Sequence, residues 1–128
     1  MVIAYVALLL SKSMARHSPA WSVIVKAAGG SSAPMTTYIG VLDGQWRWLG
    51  NSPKVFNSSP GVERTFCDHC GTPLSFRSKN MSNVMHFFAA ALEEPEKLAP
   101  TLHVAFEEKL PWLKLADGLP TRFGPDYR

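Results

Sequence analysis

Cysteine is nearly absent from this chain, with two residues in 128. That count excludes a disulfide framework, and a Cys-x-x-Cys pair without a secretory signal points to a reducing compartment, the cytoplasm. Runs of Lys and Arg are also missing. The net charge of +3 is spread thinly and is not interleaved with aromatics, so no nucleic-acid partner is expected. No apolar stretch is long enough to span a bilayer. The opening MVIAYVALLL is too short, has no basic residue ahead of it and no small-x-small cleavage site after it, and is read as a stray apolar N-terminus or a buried strand, with no membrane partner expected. Internal repeats and low-complexity tracts are absent too. What is present is ordinary for one folded soluble domain: 46% hydrophobic and 18% charged residues, which exclude a disordered or collagen-like chain.

From about Thr36 the chain alternates short β-type segments with turn residues, which predicts a mainly β, antiparallel single domain. The expected strands are MTTYIGVL, WRWLG, KVFNS, VERTFC, PLSFRS, VMHFFAAAL and LHVAF. Between them lie Asp43-Gly44, Asn51 to Pro53, Ser58 to Gly61 and Cys70 to Pro73, all with turn chemistry. EEPEKL, with Pro95 near its start, predicts one short helical turn. Trp46, Trp48 and Phe56 fall at strand positions and are expected in the core. Gly61 and Gly71 meet turn requirements. Residues 1–32 read differently: HSPAWSVIVKAAGGSS has neither helical nor clean strand periodicity, and the composition changes at Ala33.

The stretch FCDHCGTPL holds both cysteines. A tight Cys-x-x-Cys turn followed by glycine supplies half of a tetrahedral zinc site, so Cys67 and Cys70 are the candidate metal ligands. His69 lies inside the turn and is expected to point away from a metal held by its neighbours. His17, His86 and His103 have no ligand-like spacing, and the last two, in apolar strands, are expected in the core or a cleft. The residues alone leave three readings of the pair open: an orphaned knuckle, a redox dithiol, or a site shared between subunits. A redox role usually comes with a strand-to-helix setting, whereas PLSFR reads as strand.

Taken together, YIGVLDGQWRWLGNSPKVFNSSPGVERTFCDHCGTPLSFR, LEEPEKLAPTLHVAF and LPWLKLADGLPTRF resemble the glutathione-dependent formaldehyde-activating enzyme (Gfa/CENP-V) family. The resemblance runs from about Ala33 to Phe123. It implies an Mss4-like zinc-binding β fold and carbon–sulfur lyase chemistry on glutathione–aldehyde adducts of the S-hydroxymethylglutathione type. It implies further that the Cys67/Cys70 pair joins an earlier Cys-x-Cys-Gly at a structural zinc, and that a Cys-His-Cys-x-x-Cys segment holds the catalytic zinc. That zinc acts as a Lewis acid or activates a thiolate. Trp112 and Asp117 match family positions read as structural. Glu63 and Arg64 could orient the knuckle or bind glutathione carboxylates, but a solvated pair is the simpler expectation.

Every cysteine ahead of Ala33-Pro34-Met35 is missing. A displaced reading frame is the account expected here, the alternative being an authentic divergent N-terminus that packs as an edge strand. Across Ser22 to Gly30 the shifted frame permits C-H-C-x-[S/G]-C-R-R, with cysteines from Val23, Val25 and Ala28 and histidine from Ile24. Across Ile3 to Ala7 it permits C-L-C-G, with cysteines from Ala4 and Val6. The chain is therefore divided into a non-matching, frame-shifted segment, 1–32, and a Gfa/CENP-V-like domain, 33–128. As written it is expected to be inactive, with zinc bound weakly or not at all and no catalytic residue assigned. The alternative is a non-catalytic zinc-binding or scaffolding module. An unpaired knuckle and bare strand edges favour homo-oligomer formation or aggregation.

Overall fold

The computed structural model describes residues 5–8, 21–24, 33–49, 52–81 and 83–123. Among them are nine strands: β1 (Tyr5–Leu8), β2 (Trp21–Ile24), β3 (Met35–Leu42), β4 (Trp46–Leu49), β5 (Lys54–Ser59), β6 (Val62–Phe66), β7 (Pro73–Ser78), β8 (Val84–Phe88) and β9 (His103–Val104). Seven form one sheet in the order β5-β6-β7-β8-β3-β2-β9, and β1 pairs with β4 in a separate two-stranded sheet. The fold is mainly β, as the alternation of apolar residues and turns requires. All pairings are antiparallel except β2 with β9, which is parallel.

Two expected strands are shorter than their apolar runs. In VMHFFAAAL the strand stops at Phe88 and Ala89–Ala91 make a 3-10 turn, because alanine offers little to pack on a pleated surface. LHVAF keeps only His103 and Val104, since Ala105 turns into the left-handed region at φ 52°. The helical turn expected in EEPEKL is the 3-10 segment Pro95–Lys97, whose first residue needs no backbone N–H.

Register builds two rows of side chains across the main sheet. One runs Val55, Thr65, Ser75, Phe87, Ile39; the other runs Phe56, Arg64, Phe76, His86, Gly40. The first row leads into a core of Ile39, Val41, Met85, Phe87 and Leu92, against which Trp46 and Trp48 pack. Phe87 is wholly buried, and both indole rings meet it edge-on at 5.3 and 5.8 Å. The second core joins Tyr38, Phe88, Val104 and Ala105, with Phe76 packed against it. The expected core position of Phe56 is corrected: it is 60% exposed. Its strand is the outermost of the main sheet among the described residues and nothing described covers it.

Candidate functional site

Strand β6 delivers the thiol turn. The Cys67 N–H donates to the Thr72 carbonyl at 2.9 Å and the Gly71 N–H donates to the Cys67 carbonyl at 2.8 Å. These bonds close the loop on itself. Gly71 sits at φ +75°, a conformation that glycine reaches without steric cost, so the tight return into β7 needs this residue. Cys67 is 3% exposed and packs with Leu74, Trp48 and Ala91. Cys70 is exposed, with its Sγ 3.0 Å from Thr72 Oγ1. The Thr72 hydroxyl, then the Thr72 backbone, then the Cys67 thiol hydrogen-bond to Cys70 and hold its thiol below the ordinary range.

Beside the turn lies a cleft of about 580 Å³, a size that suits a small molecule. Phe56, Phe66 and Phe88 make its apolar walls, Ser58 and Arg64 bring polar groups, and Gly71 extends it to the thiol turn. Arg64 is no solvated ion: it is half-buried. Its Nε donates to Ser58 Oγ at 3.2 Å and its guanidinium lies 5.2 Å from the centre of the Phe76 ring. Phe76 in turn lies 5.3 Å from the His86 ring. Beneath the cleft the buried hydroxyls of Thr65 and Ser75 hydrogen-bond to each other.

The histidines separate. His69 is exposed within the turn. His86 is 2% exposed, and burial pushes its pKa down to about 4, with Arg77 acting in the same sense against a hydrogen bond to the Phe76 backbone. His103, 1% exposed, lies on β9, with four strands between it and β6. Its Nε2 meets Asp117 Oδ2 at 2.8 Å. Asp117 also accepts the Leu119 N–H at 3.1 Å, and that bond first, then His103, lowers its carboxyl pKa. The backbone around it is clamped to β9, with the His103 N–H donating to Pro120 and the Arg122 N–H donating to His103, both at 2.8 Å. Asp117 thus holds the DGLPTR segment in place, the structural role expected for it. Trp112 is 66% exposed.

As a zinc site the turn is half complete. Cys67 and Cys70 are brought together, but among the described residues no three His, Cys, Asp or Glu side chains converge as metal ligands. The residues described therefore do not fit a closed four-ligand zinc. Sequence reasoning missed the cleft, because Phe56, Phe66 and Phe88 come from three strands and meet only across the sheet. Its one readable signal was Arg64 beside the knuckle. Of the codon-shift positions, Val6 falls in β1 and Val23 and Ile24 in β2; Ala4, Val25 and Ala28 lie outside the described residues. His17 lies outside them too. Among the described residues no helix is long and apolar enough to cross a membrane.

The family model described as glutathione-dependent formaldehyde-activating enzyme matches residues 26–108. No curated protein matches the chain. That match spans more than half of the chain and takes in the thiol turn and every strand that lines the cleft, so the chain belongs to the glutathione-dependent formaldehyde-activating enzyme family.

Proposed function

We propose that this chain is the glutathione-recognising framework of a carbon–sulfur lyase for glutathione–aldehyde adducts of the S-hydroxymethylglutathione type, and that as written it is inactive. The observation that carries this is the cysteine inventory: Cys67 and Cys70 are the only two, and neither belongs to the Cys-His-Cys-x-x-Cys pattern of the resemblance. Residues 1–32 are the frame-shifted metal segment and 33–128 the domain proper. The cleft supports the glutathione reading. Arg64 suits a peptide carboxylate, and the phenylalanine walls suit the aliphatic body of the tripeptide. With two thiols per chain, zinc is held weakly or not at all. The absence of a disulfide framework from the sequence supports a cytoplasmic location.

The test replaces residues 1–32 by the shifted-frame reading, restoring cysteine at positions 4, 6, 23, 25 and 28 and histidine at position 24. The restored protein should retain zinc through gel filtration and consume formaldehyde in the presence of glutathione, whereas the chain as written should do neither. A restored protein that folds and binds zinc yet shows no turnover overturns the lyase reading. It would favour a scaffolding module, for which the exposed Val55 and Phe56 on β5 offer a docking edge. Gel filtration of the chain as written also tests homo-oligomer formation through that edge.

A further inference from the structure

The cleft on β5, β6 and β8 carries more apolar wall than a hydroxymethyl adduct can use. Among the described residues its only charged lining group is Arg64, and its rings come from Phe56, Phe66 and Phe88. Arg64 stands opposite Phe56 in the β5–β6 register, so the charge and the ring on the outer strand are cross-strand neighbours. The guanidinium is held from two sides, by Ser58 Oγ, which accepts from Nε at 3.2 Å, and by the Phe76 ring at 5.2 Å. It is thereby positioned for a carboxylate before any ligand arrives. The three rings are graded in burial: Phe88 is 8% exposed, Phe66 is half-buried and Phe56 is 60% exposed. An exposed phenylalanine at the rim of a cleft of about 580 Å³ leaves a wall for an apolar group to cover.

Glutathione by itself covers little of that wall. It carries two carboxylates and an ammonium, its apolar parts are short methylene runs, and a hydroxymethyl group adds to its sulfur only one carbon and a hydroxyl. An aromatic ring on the sulfur supplies what is missing. We propose that the cleft selects glutathione adducts of aromatic aldehydes over the adduct of formaldehyde, with one glutathione carboxylate on Arg64 and the aryl group against Phe56, Phe66 and Phe88. The proposal rests on the glutathione reading of the cleft and adds to it the class of aldehyde. One cation answers one carboxylate, and the remaining charges of the tripeptide stay in water. The preference comes from the rings, because an aryl group exchanges water for an apolar wall while a hydroxymethyl group gains nothing there.

The test is titration calorimetry on the full chain as written, since binding needs no turnover. S-Benzylglutathione, the stable thioether counterpart of the benzaldehyde adduct, is compared with S-methylglutathione; neither thioether exchanges with Cys67 or Cys70. S-Benzylglutathione should bind about tenfold tighter or more, the scale of covering one ring. Phe56→Ser changes an exposed side chain and leaves both cores intact; it should remove most of that preference while S-methylglutathione binds as before. Arg64→Ala should weaken both ligands about tenfold, the scale of one charge-assisted hydrogen bond, and preserve the ratio between them. Equal affinity for the two ligands in the wild type overturns the aromatic preference and leaves the glutathione reading standing. A preference that survives intact in Phe56→Ser overturns the placement of the aryl group in this cleft. Binding of 3-phenylpropionate, an aromatic carboxylate without the tripeptide, as tightly as S-benzylglutathione overturns the glutathione reading and the proposal with it, as does failure of both thioethers to bind.

Discussion

His86 should make this fold acid-sensitive between pH 6.5 and about 4. It sits mid-strand in β8, paired with Gly40 on one side and Phe76 on the other, and is 2% exposed. Burial pushes its pKa from the ordinary 6.5 down to about 4. The folded protein therefore keeps His86 neutral while the unfolded chain takes up a proton below pH 6.5. The stability associated with the neutral imidazole is complete above the unfolded value and is lost as pH falls toward the folded one. That shift corresponds to roughly 3 kcal/mol in total, of which about 2 kcal/mol should be gone by pH 5. Asp117 acts lower: its carboxyl pKa lies below the ordinary 3.8, so its contribution is present above 3.8 and disappears only beneath it. Urea unfolding midpoints at constant m-value, taken from pH 7.5 to 4.5, measure the effect. His86→Phe keeps a planar ring against Phe76 and removes the titration, so its curve should be flatter by about 2 kcal/mol between pH 6.5 and 5. Parallel curves for wild type and variant would refute the reasoning, whatever their offset.

Three further predictions concern the packing that supports the cleft. Phe87→Ala removes a wholly buried ring that packs against both Trp46 and Trp48, and should cost about 3–5 kcal/mol, read from denaturant unfolding. Thr65→Val keeps the shape but strands the fully buried Ser75 hydroxyl. A loss of about 1–3 kcal/mol is expected, and restoration by the double variant with Ser75→Ala would assign it to the hydroxyl pair. Gly61→Ala and Gly44→Ala should cost about the same, about 1–2 kcal/mol each for the left-handed backbone, read as melting temperatures. A Cβ at 61 would lie 2.3 Å from Lys79 Cδ and one at 44 meets nothing within 4 Å, but the exposed Lys79 side chain can swing aside.

The family signature was legible because its carriers are local. The Cys-x-x-Cys-Gly turn, the SSPG return and the Pro95 helical turn are set by a few adjacent residues, and each is where the sequence placed it. The strand runs were legible for a related reason, since alternation with turn residues at both ends needs no distant partner. Phe56 shows where this stops. Its strand pattern marks a face but not whether anything covers that face, and β5 proved to be the outer strand. The same limit hid the parallel pairing of β2 with β9, the Arg64–Phe76–His86 stack and the His103–Asp117 bond, all of which depend on strand order and register. Most telling is the thiol pair. The sequence by itself determined that two thiols share one tight turn and that the chain holds no third. Only the tertiary structure decided that Leu74 and Trp48 bury Cys67 while Cys70 stays open beside a cleft, because burial depends on which distant side chains arrive and spacing along the chain does not encode that.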